Sequence, residues 1–124
     1  MSGYGDVPAG SRTVRGEIAL PEGEPGERAA CVLIQVEDVS RLDAPSVVVG
    51  EQRIDDVALD GGNVPFEVEV PAGLIDDRAM YSLRVHVDVS GSGEVEHGDL
   101  ITTQSYPVLT RDNPDAATVK VQRI

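Results

Sequence analysis

The chain has few of the residues that cross-link or anchor small proteins. Its one cysteine, Cys31, cannot form an internal disulfide bond, so nothing in the cysteine content indicates an oxidising compartment. It has no tryptophan and a single phenylalanine, Phe66, so its core must be built mainly from aliphatic side chains. At 124 residues the chain is long enough to bury such a core as one domain without a metal ion or a disulfide.

Positive charge and long apolar runs are also scarce. Ten basic residues face 22 acidic ones, for a net charge of −12, and such a surface repels nucleic acids and anionic membranes. The longest apolar run, residues 29–34, is too short to span a bilayer. The first residues also lack the basic and apolar regions of a secretory signal. We therefore expect a cytoplasmic protein, or an envelope-associated one if a leader or lipid anchor precedes it; the oligomeric state stays open.

Apolar residues recur at every second position along most of the chain, which is typical of half-buried strands. No segment carries a helical stripe of ten or more residues, and Gly, Pro, Asn and Asp mark turns between the strands. The pattern predicts an all-β domain, an immunoglobulin-like antiparallel β-sandwich of about seven strands in two sheets, over residues 12–124. Residues 1–11 are predicted to be a disordered tail. The predicted strands cover residues 14–20, 30–36, 47–54, 66–70, 81–89, 100–106 and 118–124.

One local motif concerns a tyrosine. Residues 77–83, Asp-Arg-Ala-Met-Tyr-Ser-Leu, resemble the D-x-A-x-Y-x-C stretch of immunoglobulin-type domains, with Leu83 in place of the cysteine. In those domains the tyrosine hydroxyl bonds back to upstream backbone at a corner between strands. We therefore predict structural roles for Tyr81 and Asp77. A ligand contact by Tyr81 is the alternative.

The strongest candidate for chemistry is a metal site. His86 and Asp88 lie two residues apart on the polar face of one predicted strand, so their side chains point the same way. His97 and Asp99 follow a predicted flexible loop, just before the next strand. If the two strands pair as a hairpin, these side chains would converge with zinc-type ligands. The alternative is a solvated strand face followed by an acidic loop.

Catalytic motifs are absent from the sequence. Neither histidine neighbours a Gly-x-Ser-x-Gly turn, and Cys31 is predicted to be buried, where its thiol stays protonated. No glycine-rich loop leads from a strand into a helix that would bind phosphate. We therefore expect a non-enzymatic protein without a cofactor.

Several stretches, in order along the chain, together resemble the YbaY/YscW family of lipoproteins and type III secretion chaperones or pilotins. The resemblance implies a small β-sandwich that binds another protein, in the secretion branch an outer-membrane secretin. We therefore expect a chaperone-like binding module that recognises its partner through a sheet edge or an apolar groove. Metal binding by the His86/His97 hairpin and a passive assembly role are the alternatives. The stretches are residues 14–16, 36–45, 64–68, 81–85 and 106–110, of which Asp38-Val39-Ser40 and Tyr106-Pro107-Val108-Leu109-Thr110 are the most specific.

Overall fold

The computed structural model describes residues 10–41 and 43–124, and this part of the chain forms two packed β-sheets. The predicted all-β sandwich is therefore confirmed. The helical elements of the described residues amount to one short 3-10 turn, Ala72–Leu74, and none of them could span a bilayer. The strands are β1 (Ser11–Ala19), β2 (Arg28–Asp38), β3 (Val47–Ala58), β4 (Asn63–Pro71), β5 (Tyr81–Asp88), β6 (Leu100–Ile101), β7 (Pro107–Val108), β8 (Ala116–Lys120) and β9 (Gln122–Arg123).

The two sheets differ in size and in strand direction. The larger sheet has the order β9-β6-β5-β2-β3, and β7 also pairs with β5; the smaller sheet has the order β4-β1-β8. Strand β1 pairs antiparallel with β4 but parallel with β8, so the sandwich is not antiparallel throughout as predicted. The parallel pair arises because the chain crosses from the larger sheet to the smaller one after β7 and enters β8 in the direction of β1.

Two predicted strands are each divided into two, which raises the number from seven to nine in the described chain. Residues 102–106 leave the larger sheet between β6 and β7, and β7 begins at Pro107, which has no N–H to donate. The last predicted strand is divided at Val121, where the chain crosses from the smaller sheet to the larger one. Only the second division lies at a crossing between the two sheets, because β6 and β7 both belong to the larger sheet.

The space between the sheets is filled by aliphatic side chains, as the composition predicts. Phe66 and Tyr81 are the aromatic members of this core, and both are buried. Each fully buried Val, Leu or Ile contributes about 1.5–3 kcal/mol relative to the exposed side chain, so the core needs no covalent cross-link. The side chains with no measurable exposure are Val14, Ile18, Val32, Ile34, Val36, Val68, Val70, Val85, Val87, Val108 and Val119.

The first strand that the structure describes, β1, begins at Ser11, and the domain boundary at residue 12 stays a prediction. Most of the predicted tail, residues 1–9, lies outside the described residues. Leu42, in the predicted loop before β3, also lies outside them.

Candidate protein-binding site

One end of the sandwich carries most of the exposed large apolar side chains of the described residues. Asp38, the last residue of β2, is paired with Val47 on one side and with Tyr81 on the other, which brings three strand ends together. We call this region the Met80 end and define it by Val39, Ser40, Val47, Val48, Leu74 and Met80. Met80, Leu74, Val47 and Val48 are 48%, 53%, 62% and 42% exposed.

A cavity of about 300 Å³ opens at the same end. This volume is at the lower limit of small-molecule pockets and can accept one or two side chains of a partner. Its rim carries opposite charges, from Asp38 and Arg41. The lining residues are Asp38, Ser40, Arg41, Ala44, Pro45 and Val47.

The backbone of Met80 is held from one side by the segment that follows β2. The Val39 N–H donates to the Met80 carbonyl oxygen at 2.8 Å, and the Met80 N–H donates to the Ser40 Oγ at 2.8 Å. Ser40 is fixed in turn by Asp38, whose Oδ1 accepts bonds from the Ser40 hydroxyl at 2.6 Å and the Ser40 N–H at 2.9 Å. These bonds from Ser40 lower the pKa of the Asp38 carboxyl. Met80 is therefore presented on a fixed backbone.

The neighbours of Met80 are held from the other side by the segment around β7. The Thr110 hydroxyl donates to the Ala79 carbonyl oxygen at 2.6 Å in a buried contact. The Tyr106 N–H donates to the Ser82 Oγ at 3.0 Å. The stretch from Ala79 to Ser82 is therefore clamped between two segments that lie far apart in the sequence.

Tyr81 connects this stretch to the turn that precedes it. Its buried hydroxyl donates to the Leu74 carbonyl oxygen at 3.1 Å and accepts the Asp76 N–H at 2.9 Å. Asp77 is exposed, and its side chain makes no hydrogen bond within the described chain. The hydroxyl of Tyr81 thus bonds to upstream backbone at a strand corner, whereas Asp77 has no such contact.

The candidate metal ligands lie at the opposite end of the sandwich. Strands β5 and β6 pair antiparallel, as the predicted hairpin requires. His86, Asp88 and Asp99 each place a ligand atom within 4.8 Å of the others, and the His86 Nε2 lies 2.8 Å from the Asp99 Oδ2. His97 is exposed in the preceding turn and is outside this group. The structure therefore brings together three of the four residues.

Both aspartates of this group already bind backbone N–H groups. Asp88 accepts the Gly91 N–H at 2.9 Å and the Gly93 N–H at 2.8 Å. Asp99 accepts the N–H groups of Val89 at 3.0 Å and Glu96 at 3.2 Å. Burial alone raises the pKa of Asp99, but the hydrogen bonds from His86 and from these N–H groups lower it below the usual value. The two carboxylates therefore hold the loop between β5 and β6 in place.

The hydrogen bonds by which Asp88 and Asp99 hold this loop, here called the loop clamp, were not among the sequence-based predictions. Asp88 was predicted to lie on the polar face of its strand, with a solvated face as the alternative, whereas the residue is 5% exposed. Gly91 and Gly93 have φ angles of +83° and +85°, which turn their N–H groups toward Asp88. The spacing Asp-x-x-Gly-x-Gly was the available signal, because glycine adopts positive φ without steric cost.

A comparison with known protein families gives one match that covers most of the chain. The family model described as the type III secretion system lipoprotein chaperone (YscW) matches residues 9–121. The chain belongs to the YscW family. This confirms the resemblance seen in the sequence.

One solved structure is similar to this YscW-family chain over nearly its whole length. It is an alternative pilotin from the type II secretion system of Vibrio cholerae, with a TM-score of 0.76 and 21% sequence identity. The match covers 92% of this chain and 97% of the pilotin. The similarity confirms the fold. No curated protein gave a significant match.

The two most specific family stretches meet at the Met80 end of this YscW-family chain. Asp38-Val39-Ser40 binds the Met80 backbone, and the stretch ending in Thr110 binds Ala79. A third stretch ends in Gly16, where an added Cβ would lie 1.8 Å from the Ala117 carbonyl oxygen. These stretches therefore contribute to the hydrogen bonds around Met80 and to the β1–β8 contact.

Proposed function

We propose that the chain is a non-enzymatic chaperone that binds another protein at the Met80 end. One observation carries this proposal: the two most specific family stretches clamp the segment that presents Met80, beside exposed apolar side chains and a cavity of about 300 Å³. Exposed apolar groups that cluster at one site mark interaction surfaces.

The physical chemistry of this end suits an apolar segment of a protein partner. Burying a side chain such as Met80 or Val47 on a partner contributes roughly 25 cal/mol per Å² of apolar surface. The fixed backbone reduces the ordering cost of association. Asp38 and Arg41 at the cavity rim supply charges that orient the incoming segment.

We propose further that the partner is a component of a secretion system. The description of the YscW family as lipoprotein chaperones and the likeness to a type II secretion pilotin support this. An outer-membrane secretin, the partner that the sequence resemblance implies, is the first candidate to test. The family description also supports association with the cell envelope.

Site-specific photo-crosslinking tests the proposed surface. A benzophenone amino acid placed at position 80 is expected to capture one secretion-system component in source cells. The same amino acid at position 95 is the control, because Val95 is 45% exposed, close to the 48% of Met80, but lies in the loop at the opposite end. Equal capture of the same protein from both positions would contradict the proposal.

Purified proteins then test the affinity. Met80→Glu is expected to weaken binding of the captured partner by about tenfold or more, the effect of losing a well-packed apolar contact. Val95→Glu adds the same charge at the opposite end and is expected to leave the affinity within about twofold. An unchanged affinity for Met80→Glu would remove the Met80 end from the interface.

Divalent metal binding by His86, Asp88 and Asp99 is the second candidate function. The favouring observation is the convergence of their ligand atoms within 4.8 Å. A tetrahedral zinc site needs ligand atoms about 3.4 Å apart at bond lengths near 2.1 Å, so the side chains would have to move. The backbone bonds to both carboxylates would compete with the ion. We therefore rank this function below protein binding.

A further inference from the structure

The smaller sheet ends in two edge strands, and one of them is protected. Arg15 of β1 is paired with Glu67 of β4, but the N–H group of each points away from the other strand. The Arg15 N–H donates to the Asp115 carbonyl oxygen at 3.0 Å, and the Glu67 N–H donates to the Gln52 Oε1 at 2.8 Å. Outward N–H positions alternate along a strand, so Pro65 and Pro71 occupy outward positions of β4. Proline has no N–H. The β4 edge therefore offers little to an added strand.

The larger sheet has one long edge strand, β3, and two short strands, β7 and β9. A Cβ added to Gly50 would lie 2.7 Å from the Glu69 carbonyl oxygen, so β4 packs closely on the face of β3 there. Strand β7 begins with Pro107, and β9 is only two residues long. Strands β7 and β9 are each too short to offer two successive outward N–H groups.

Strand β8 is different. The hydrogen bond from the Arg15 N–H to the Asp115 carbonyl oxygen shows which backbone groups of β8 pair with β1. The N–H groups of Ala117 and Val119 point toward β1, whereas those of Ala116 and Thr118 point outward. Strand β8 pairs only with β1 among the described strands, and both outward residues are exposed. At the end of the strand the Lys120 N–H donates to the Tyr106 hydroxyl at 2.9 Å. Two successive outward backbone positions therefore remain unpaired in the described chain.

Two basic residues flank this edge, together with Asp112 and Asp115 in the preceding turn. Lys120, the single lysine of the chain, ends β8, and Arg111 lies in the turn that leads into it. Neither forms an ion pair with another described residue, in a protein with a net charge of −12. The same turn contains Thr110, which bonds to Ala79, so the start of β8 adjoins the Met80 end.

We infer that β8 accepts an extended segment of the partner protein as an additional strand, with acidic side chains of the segment near Lys120 and Arg111. The inference rests on the proposed function and specifies its second contact. Main-chain hydrogen bonds to Ala116 and Thr118 supply the affinity, and the basic residues orient the segment.

Amide hydrogen exchange of the full chain without a partner tests whether the edge is free. The N–H groups of Ala116 and Thr118 are expected to exchange near the rate of unstructured peptide. Those of Ala117 and Val119 are expected to exchange at least about 100-fold more slowly. Protection of Ala116 and Thr118 at all concentrations would mean that the chain covers its own edge. Protection that rises with concentration would mean that a second copy covers it. Either result overturns the inference.

A peptide tests the acceptance of a strand. The probe is acetyl-Glu-Thr-Val-Thr-Val-Thr-Glu-amide, and it is expected to protect the Ala116 and Thr118 amides. Thr118→Pro removes an outward N–H without removing a bond to β1 and is expected to weaken peptide binding by about tenfold. Thr118→Val keeps the N–H and is expected to bind like the wild type. Glu69→Pro makes the equivalent change on the protected β4 edge and is also expected to leave binding unchanged.

Three outcomes overturn the inference: no peptide binding at millimolar concentration, equal binding by the Thr118→Pro chain, or binding that perturbs only the Met80 end. Circular dichroism shows whether each variant is folded, and Thr118→Val serves as the reference if a proline variant is not. Crosslinking through position 80 is measured in the same variants. A Thr118→Pro chain that still crosslinks its partner while binding the peptide normally disproves the β8 contact and leaves the proposed function intact.

Discussion

The hydroxyl of Thr110 and the carbonyl oxygen of Ala79 form a buried hydrogen bond of 2.6 Å between residues 31 positions apart. It joins the turn before β8 to the turn before β5. The Met80 end and the proposed strand-accepting edge of β8 both adjoin this hydrogen bond. Its strength therefore bears on both surfaces.

Thr110→Val is the direct test of that contact. The change preserves shape and leaves the Ala79 carbonyl without this partner, so the free energy of unfolding is expected to fall by about 1–2 kcal/mol. Chemical denaturation measures the difference. Thr103→Val is the matched control, because Thr103 is exposed and its side chain makes no hydrogen bond within the described residues, and its effect is expected to stay within about 0.5 kcal/mol. Equal effects would mean that the Thr110 bond contributes nothing specific.

Gly16→Ala tests the contact between β1 and β8. The new Cβ would lie 1.8 Å from the Ala117 carbonyl oxygen, and only a backbone shift relieves the overlap. We expect a loss of about 3 kcal/mol or more, or a chain that does not fold, as judged by thermal denaturation. Gly73→Ala is the control, since nothing lies within 4 Å of its added Cβ. A fully stable Gly16→Ala protein would contradict the close approach of the two strands.

Asp99→Asn tests the loop clamp through its pH dependence. Because the folded pKa of Asp99 is lowered, its ionised form contributes stability above the unfolded value near pH 4, and this contribution is lost as the pH falls through the folded pKa. The variant is expected to be about 1–3 kcal/mol less stable than the wild type at pH 7, and the gap is expected to narrow below about pH 4. Denaturation series at several pH values measure the gap. An Asp77→Asn control is expected to show no such gap, and a gap for Asp99→Asn that is constant with pH would contradict the assignment.

Zinc titration tests the second candidate function. If the site binds zinc, isothermal titration of the wild type gives a binding heat that His86→Ala removes and His97→Ala retains, because only His86 belongs to the group. Heat equal to that of the His86→Ala variant would eliminate the site. Loss of binding in both variants would mean that the ion is not bound by His86, Asp88 and Asp99 alone.

Alternation of apolar residues was sufficient to predict the sandwich and most of its strands. It succeeded for β5, where Tyr81, Leu83 and Val85 are all buried as predicted. It failed at the chain crossings, because alternation describes one strand against one sheet and residues such as Val121 pass between two. It also could not predict the turn after β7, where Leu109 and Arg111 adopt positive φ without being glycine. Tertiary hydrogen bonds, such as those of Thr110, hold that turn.

The candidate site was less predictable than the fold. The hairpin that joins His86 to Asp99 followed from strand spacing, but the burial of Asp88 did not, because it depends on a loop whose path is set by two glycines. Met80 was not identified as a surface residue. The position of its segment depends on Ser40 and Thr110, which form hydrogen bonds on either side of it. Such contacts join distant parts of the chain, and no local pattern encodes them.

The parallel pairing of β1 with β8 also determines when the smaller sheet can form during synthesis of the chain. Gly16 lies against Ala117, about a hundred residues later in the chain, so the smaller sheet cannot close until β8 has left the ribosome. Until then β1 has only β4 as a neighbour, and its second edge is open. A ribosome-bound intermediate would thus contain an incomplete smaller sheet that is open to proteases and to general chaperones. Pairing of the final residues of β8 with β1 would end this exposure.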